Sequence, residues 1–284
     1  MPEQDFNLDA WLARIGYAGS REPGLATLRA LIAAHTGAIP FESLDVFLGR
    51  VPALDIGSVQ DKLIERSRGG YCYEQNLLFR AGLRALGYAV TSLTARVVRG
   101  MAPDAERPAT HMALRVDLPE GAFLVDVGYG NLTPTAPLAI TPGVEQATPH
   151  EVMRLVPVGD ELTLQARLGA GWQSVYRLSL HAATDADYDV MNWFTATHPG
   201  SQFVLNMIVA RPATGALRHT LFNGQLSTRR AGELVDRRML DDVTAHASAL
   251  QQTFGLRLAE DDLAAVLAQV ERRGTRGSAH PFFT

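Results

Sequence analysis

The chain has few of the residues that crosslink small domains. It carries one cysteine, Cys72, in 284 residues, so no disulfide can close within it and no thiolate metal cluster can form from one chain. Lysine is equally scarce: Lys62 is the only one among 26 lysines and arginines. A Schiff-base mechanism would have to use Lys62, and nothing around it in sequence points to one. Long apolar runs are missing too. The longest, Leu263–Ala268, falls far short of the roughly 18 residues that span a bilayer, so no membrane partner is expected. The start, Met1–Ala10, contains Glu3, Asp5 and Asp9 and lacks the basic and apolar stretches of a secretory signal, so a cytoplasmic location is expected. There is no excess of positive charge: a net charge of −4 gives no drive toward nucleic acid or an anionic membrane. GxxxxGK[ST], a strand-borne GxGxxG and HExxH are all absent, and the histidines are scattered, so neither a nucleotide fold nor a metal site is indicated.

What remains is a globular composition, 46% hydrophobic and 20% charged, without repeats or low-complexity tracts. The length allows two or three units at roughly 100–200 residues each. Three textures follow one another, which divides the chain at 1–87, 88–187 and 188–284. The first part reads as helical. Leu25, Leu28 and Ile32 repeat at helical spacing, Ser58 with Asp61 resembles a capping box for a helix through Glu65, and a second helix is expected from Cys72 to Leu86, ended by Gly87. The second part reads as strands: Ala89–Val98, His111–Leu118, Phe123–Val127, Glu151–Pro157, Leu162–Leu168 and Ser174–Leu180. Short strands at regular spacing indicate a small barrel or a strongly curved sheet. In the third part, Tyr188–Thr197 reads as a helix, Phe203–Arg211 and Arg218–Phe222 as strands, Asn223-Gly224 as a turn, and Leu263–Arg272 as an amphipathic helix. The tail Gly277–Thr284 is expected to be mobile until Phe282 and Phe283 find a surface.

Cys72 is the sharpest single feature. It follows Gly69 and Gly70 and opens a helix, where the partial positive charge of the helix end favours a thiolate. The glycines permit a close approach, and nearby N–H groups can meet an oxyanion. A nucleophilic cysteine needs a base, and the base needs an orienting group. Most of the eight histidines fall in loops, at helix ends or in solvent-like contexts. His111 instead begins a strand whose other side, Met112, Leu114, Val116 and Leu118, is apolar. The return strand Phe123–Val127 carries Asp126 within it, and a carboxylate in the middle of a strand that otherwise reads as core demands a partner. If residues 118 and 121 pair across the Pro119-Glu120 turn, Ala113 faces Asp126 and His111 lies diagonally on the same face; a slip of one residue would turn the two side chains apart. Cys72, His111 and Asp126 thus form a candidate triad. The bland alternative is a structural His–Asp bond with an unrelated buried cysteine. Gly128-Tyr129-Gly130 is either a phosphate-cradling turn or an ordinary strand end.

These residues stand in segments that resemble the arylamine N-acetyltransferase family. Arg68-Gly69-Gly70-Tyr71-Cys72-Tyr73-Glu74-Gln75-Asn76 is similar to that family's cysteine motif, and Ile39-Pro40-Phe41-Glu42-Ser43-Leu44-Asp45 to its upstream segment. Thr110-His111-Met112 resembles its histidine strand, Asp126-Val127-Gly128-Tyr129-Gly130 its aspartate and glycine turn. Asn192-Trp193-Phe194 through Phe203 resembles its interdomain segment. Ser43 stands where Asn is usual, and Tyr73 and Tyr129 where Phe is common. The resemblance implies an α+β fold with a cysteine-protease-like core: an N-terminal helical bundle, a central β-barrel and a C-terminal α/β lid. It implies acetyl-CoA as donor substrate, with no permanently bound cofactor, and arylamines, arylhydrazines or N-hydroxyarylamines as acceptors in a ping-pong reaction through acetyl-Cys72. By similarity, Phe41, Tyr73, Tyr129 and Phe203 line the acceptor pocket, while Thr110, Gly128, Tyr129 and Gly130 meet CoA. The Tyr129 hydroxyl then needs a partner, which a polar substituent on the acceptor would provide. Two rival readings use the same residues: a thiol hydrolase or amidase, and a catalytically silent CoA-binding module.

Overall fold

Asn7 accepts the N–H of Ala10 at 3.0 Å and so starts the first helix; the computed structural model describes residues 5–102 and 104–273. Helices α1 (Leu8–Arg14) and α2 (Leu25–Ala38) lead to a two-residue strand, β1 (Phe41–Glu42), a single turn, α3 (Leu44–Phe47), and α4 (Ile56–Gln60). α4 runs on as a wider π-helical turn, Asp61–Glu65. Its cap differs from the expected one. Asp55, not Ser58, caps α4, its carboxylate accepting the Ser58 N–H at 2.9 Å, and Asp61 falls where the helix widens. Both residue types cap well; starting at Ile56 is the choice that buries Val59. Helix α5 (Cys72–Ala85) has the expected extent, and Gly87 with φ +89° follows its end.

Strands β2 (Ala89–Val97), β3 (His111–Leu118), β4 (Gly121–Val125), β5 (Leu138–Ala139), β6 (Gln146–Ala147), β7 (Val152–Val158), β8 (Glu161–Leu168) and β9 (Gly171–Ala182) form one antiparallel sheet in the order β5-β4-β3-β2-β9-β8-β7-β6. It curls into a nearly closed barrel, and a side chain seals the seam. The amide of Gln146 accepts the Ala139 N–H at 2.7 Å and donates to the Ala139 carbonyl at 2.9 Å, in place of a ladder rung between β5 and β6.

Strand β3 separates two cores. Met112, Leu114 and Val116 pack with α5 and the helical core, whereas Ala113 packs inside the barrel with Leu124, Tyr176 and Leu178. The β3–β4 register is the one the turn predicts, Leu118 opposite Gly121 and Leu114 opposite Val125.

After β9 come α6 (Asp185–Thr197), α7 (Gln202–Leu205), strands β10 (Ile208–Ala213), β11 (Leu217–Phe222), β12 (Gln225–Arg230) and β13 (Glu233–Met239), then α8 (Val243–Ser248) and α9 (Glu260–Arg273). The fold is α+β. Phe203 was expected in a strand but lies in α7: the Asn206 amide donates to the Gln202 carbonyl and side chain at 3.2 and 3.0 Å, closing a helical turn before β10 begins. The second sheet runs β1-β10-β11-β12-β13, so the helical segment contributes an edge strand to the C-terminal sheet. The tail expected to be mobile, Gly277–Thr284 with Phe282 and Phe283, lies outside the described residues. Among those described, no helix is long and apolar enough to cross a membrane.

Candidate active site

The turn before α5 explains its two glycines. A Cβ on Gly69 would sit 2.2 Å from the Pro40 carbonyl, and one on Gly70 would sit 2.8 Å from the Glu74 carboxylate. Any side chain there would push apart two segments that are hydrogen-bonded, since the Glu42 N–H donates to the Gly70 carbonyl at 3.0 Å. This close approach sets Phe41 beside the start of α5. Glu74 reaches back one turn and accepts the Tyr71 N–H at 3.1 Å. That N–H is therefore committed to the cap and is not open to an oxyanion.

Cys72 is the first residue of α5 and is buried. Its Sγ points at the Thr110 carbonyl, 3.9 Å away. Thr110 directly precedes His111, so the thiol rests against the start of β3. The His111 Nε2 lies 2.7 Å from Asp126 Oδ2, with both side chains buried. An ionised Asp126 requires the hydrogen on Nε2, which leaves Nδ1 toward the thiol; the opposite assignment would place two acceptors together. Burial alone would lower the His111 pKa, but Asp126, through its charge and hydrogen bond, and Cys72 outweigh it and push it up to about 10. Burial works against ionisation of Asp126 as well; His111, Asn76 and the Gly128 N–H more than offset this and hold its carboxyl below the usual range.

Asn76, one turn after Cys72 on α5, ties the pieces together. Its Nδ2 lies 3.0 Å from Asp126 Oδ1, 2.8 Å from the Met112 carbonyl and 3.1 Å from the Cys72 carbonyl. Its Oδ1 accepts the Val127 N–H at 3.1 Å. In the sequence Asn76 is one residue of the cysteine motif with no role of its own; its spacing of four from Cys72 is the available signal. Tyr176 was missed altogether. Its ring lies 4.9 Å from that of His111, and Tyr129 meets the same imidazole edge-on at 5.3 Å.

The glycine turn behaves as a strand end. The Gly128 N–H donates to Asp126 at 2.8 Å and the Gly130 N–H to Thr133 at 2.7 Å, so neither is open to a phosphate. Gly128 is pressed onto the start of α5: a Cβ there would lie 2.8 Å from the Cys72 Cα. Gly130, at φ +93°, packs on the Phe41 ring. The Tyr129 hydroxyl donates to the Val175 carbonyl at 3.3 Å, so the partner it requires is within the protein and need not be an acceptor substituent. Phe41 and Phe203 face each other with centroids 6.0 Å apart, and Tyr71 meets Phe203 edge-on at 5.8 Å. Tyr73 is fully buried, its hydroxyl 3.1 Å from Thr195; Tyr71 is the aromatic of this motif that touches Phe203. His35 and His246, set aside on sequence, are both buried. Among the described residues, no group of three or more His, Cys, Asp or Glu is placed to hold a metal.

A family model described as N-acetyltransferase matches residues 24–263. The arylamine N-acetyltransferase of Escherichia coli is 38% identical over 95% of this chain and 98% of its own length. The chain belongs to the arylamine N-acetyltransferase family. A Salmonella typhimurium relative named arylamine N-acetyltransferase / N-hydroxyarylamine O-acetyltransferase is 35% identical over 95% of this chain and 98% of its own. In three dimensions, the Mycobacterium marinum arylamine N-acetyltransferase solved in complex with CoA superposes with a TM-score of 0.89 at 40% identity, over 94% of this chain and 99% of that one. Membership in the arylamine N-acetyltransferase family makes the chain a transferase and agrees with its mixed helix-and-barrel architecture.

Proposed function

We propose that the protein acetylates aromatic amines and hydrazines, and the oxygen of N-hydroxyarylamines, with acetyl-CoA as donor and Cys72, His111 and Asp126 as the catalytic residues. The observation that carries this reading is the contact chain from the Cys72 loop through His111 to Asp126, with Nε2 and Oδ2 2.7 Å apart, in a chain of this family. Asp126 favours the imidazolium form of His111, and the form of Cys72 that reacts is the thiolate. The thiolate attacks the thioester carbonyl. As the bond to the CoA sulfur breaks, the His111 proton passes to that sulfur, leaving acetyl-Cys72 and a neutral ring. The acceptor amine then attacks the acetyl carbon and gives its proton to His111. The Cys72 thiolate departs and the ion pair is restored. Phe41 and Phe203 offer flat apolar surface to an aromatic acceptor, with the fully buried Tyr71 packed edge-on behind Phe203. Tyr73 packs edge-on against Tyr71, Tyr129 packs on His111 at the other end of the site, and Thr110, Gly128, Tyr129 and Gly130 form the side on which CoA approaches. The parts contribute separately: 1–87 the nucleophile, 88–187 the base and its aspartate, 188–284 the cover that includes Phe203.

Intact-protein mass spectrometry tests the scheme. Mixing with acetyl-CoA alone, followed by rapid acid quench, is expected to add one acetyl group, at Cys72. An unmodified mass from a preparation that still transfers acetyl groups to an arylamine would rule out the covalent intermediate. Release of the acetyl group to water at the same rate with and without amine would favour the hydrolase reading.

A further inference from the structure

Lys62, the only lysine in the chain, lies inside the protein next to the nucleophile helix. Its Nζ is 2.6 Å from Asp45 Oδ2 and 2.7 Å from Glu74 Oε1, and its side chain is 8% exposed. Glu74 is fully enclosed on the first turn of α5, and its second oxygen accepts the N–H of Tyr71, the residue before Cys72. A single carboxylate is thus held between the ammonium and the backbone that starts the helix. The arrangement poses an electrostatic problem. A carboxylate at a helix N-terminus stabilises the helix, but it opposes a second anion nearby, here the Cys72 thiolate. An ammonium in contact with the carboxylate cancels most of that field.

The surrounding charges do not duplicate this role. Arg68 is turned to Glu42 at 2.7 Å and to Asp45 at 3.5 Å. Arg50 is half exposed and reaches Asp45 at 3.7 Å and Asp262 at 2.6 Å. On the other side of the thiol stand His111 and Asp126, already paired. The phenols of Tyr71 and Tyr73 flank Cys72 and are kept neutral by burial. Without Lys62, the buried carboxylates of Glu42, Asp45 and Glu74 would face Arg68 as the one enclosed cation of the cluster. Lysine suits the position, because its compact ammonium meets both carboxylates from one nitrogen at 2.6 and 2.7 Å without the planar geometry a guanidinium imposes.

We propose that Lys62 is a positioning residue for the nucleophile: by pairing with Glu74 it lets the start of α5 carry a capping carboxylate and an ionised Cys72 at the same time. The inference rests on Cys72 being the nucleophile. Its test is the pH dependence of Cys72 alkylation by iodoacetamide in the full chain, which needs no acetyl transfer. Lys62→Met is expected to move the alkylation midpoint up by about one pH unit, about tenfold slower alkylation on the acid side. Glu74→Gln, whose amide oxygen can still accept the Tyr71 N–H, moves it down. The double variant returns it to near the wild-type value, since both charges are gone. Circular dichroism and thermal unfolding identify variants that keep the native fold. Should Lys62→Met fail to fold, Glu74→Gln and the double variant carry the test. Folded variants whose midpoints stay at the wild-type value overturn the proposal, because a purely structural Lys62 would change stability and leave the midpoint in place. A wild-type protein that is never acetylated on Cys72 would instead overturn the underlying catalytic reading.

Discussion

The amide of Asn76 stands 3.0 Å from Asp126 Oδ1 and 3.1 Å from the carbonyl of Cys72, so one buried side chain touches both the carboxylate paired with His111 and the residue that carries the thiol. Replacing it leaves the Val127 N–H and the Met112 carbonyl without their partner as well. Each buried polar group so orphaned costs about 1–3 kcal/mol. Asn76→Ala is therefore expected to lower both the melting temperature and the rate of Cys72 acetylation, with little change in acceptor KM. Stopped-flow acetylation beside thermal unfolding checks this; an unaltered acetylation rate would confine Asn76 to stability.

Asp126→Asn removes the charge that keeps His111 protonated and can present an N–H donor to Nε2, which favours the wrong tautomer. A comparable triad loses about 10⁴-fold in rate, and a drop of that order in kcat/KM is expected here. A soluble Asn variant with near-normal turnover would remove Asp126 from the mechanism.

For Tyr129 the expectation is a small effect. Its hydroxyl donates to the Val175 carbonyl over 3.3 Å, a long bond worth no more than about 1 kcal/mol. Tyr129→Phe should leave the ranking of para-substituted aniline acceptors unchanged. A kcat/KM panel in which polar substituents lose selectively would restore the hydroxyl to a role in acceptor choice.

Stability should fall on both sides of neutrality, for opposite reasons. His35 is fully enclosed, accepting from the Trp11 indole at 3.2 Å through Nδ1 and bonded to Gln75 at 2.8 Å through Nε2. Burial, chiefly, lowers its pKa to about 4, so the unfolded chain takes up the proton first. Its contribution is complete above about 6.5 and is lost as pH falls toward 4, an amount on the order of 3 kcal/mol. His111 has the opposite sign: raised to about 10, it contributes fully below about 6.5 and its contribution is lost as pH rises through 10. Urea midpoints measured from pH 4 to 10 should show both slopes. His35→Gln, which can accept from Trp11 and donate to Gln75, should flatten only the acid one; a slope that survives belongs to other groups.

Period and turn chemistry made β3 and β4 readable. Alternation from His111 to Leu118 and a two-residue turn sufficed to place His111 and Asp126 on one face, because register in a hairpin is local. The helix of Cys72 was equally legible from Gly70 and Gly87. β12 and β13 were not, since QLSTRR and ELVDRRM carry no apolar alternation, in strands that are partly or wholly exposed. β1 was too short to show a period. Phe203 read as strand because an aromatic and Val204 precede Ile208; the Asn206 side chain that curls the segment leaves no period. Tyr176 and Lys62 were illegible for another reason: each meets its partners across a contact between distant segments, which no local pattern records, and Asn76, four residues after Cys72, meets Asp126 only in the folded chain.

The division of β3 between two cores also bears on how the protein becomes active in time. The thiol and the carbonyl it meets are separated by 38 residues, and Tyr73 and Thr195 by 122, so closing these loops comes at an entropic cost that local contacts cannot recover. The β3–β4 hairpin can form early, yet His111 has no thiol until α5 docks on the apolar side of β3. During refolding, strand and helix signals should therefore rise ahead of Cys72 reactivity. The reactive cysteine would emerge as a late product of docking, and the freshly made chain would pass through its most aggregation-exposed stage before it has any chemistry to offer.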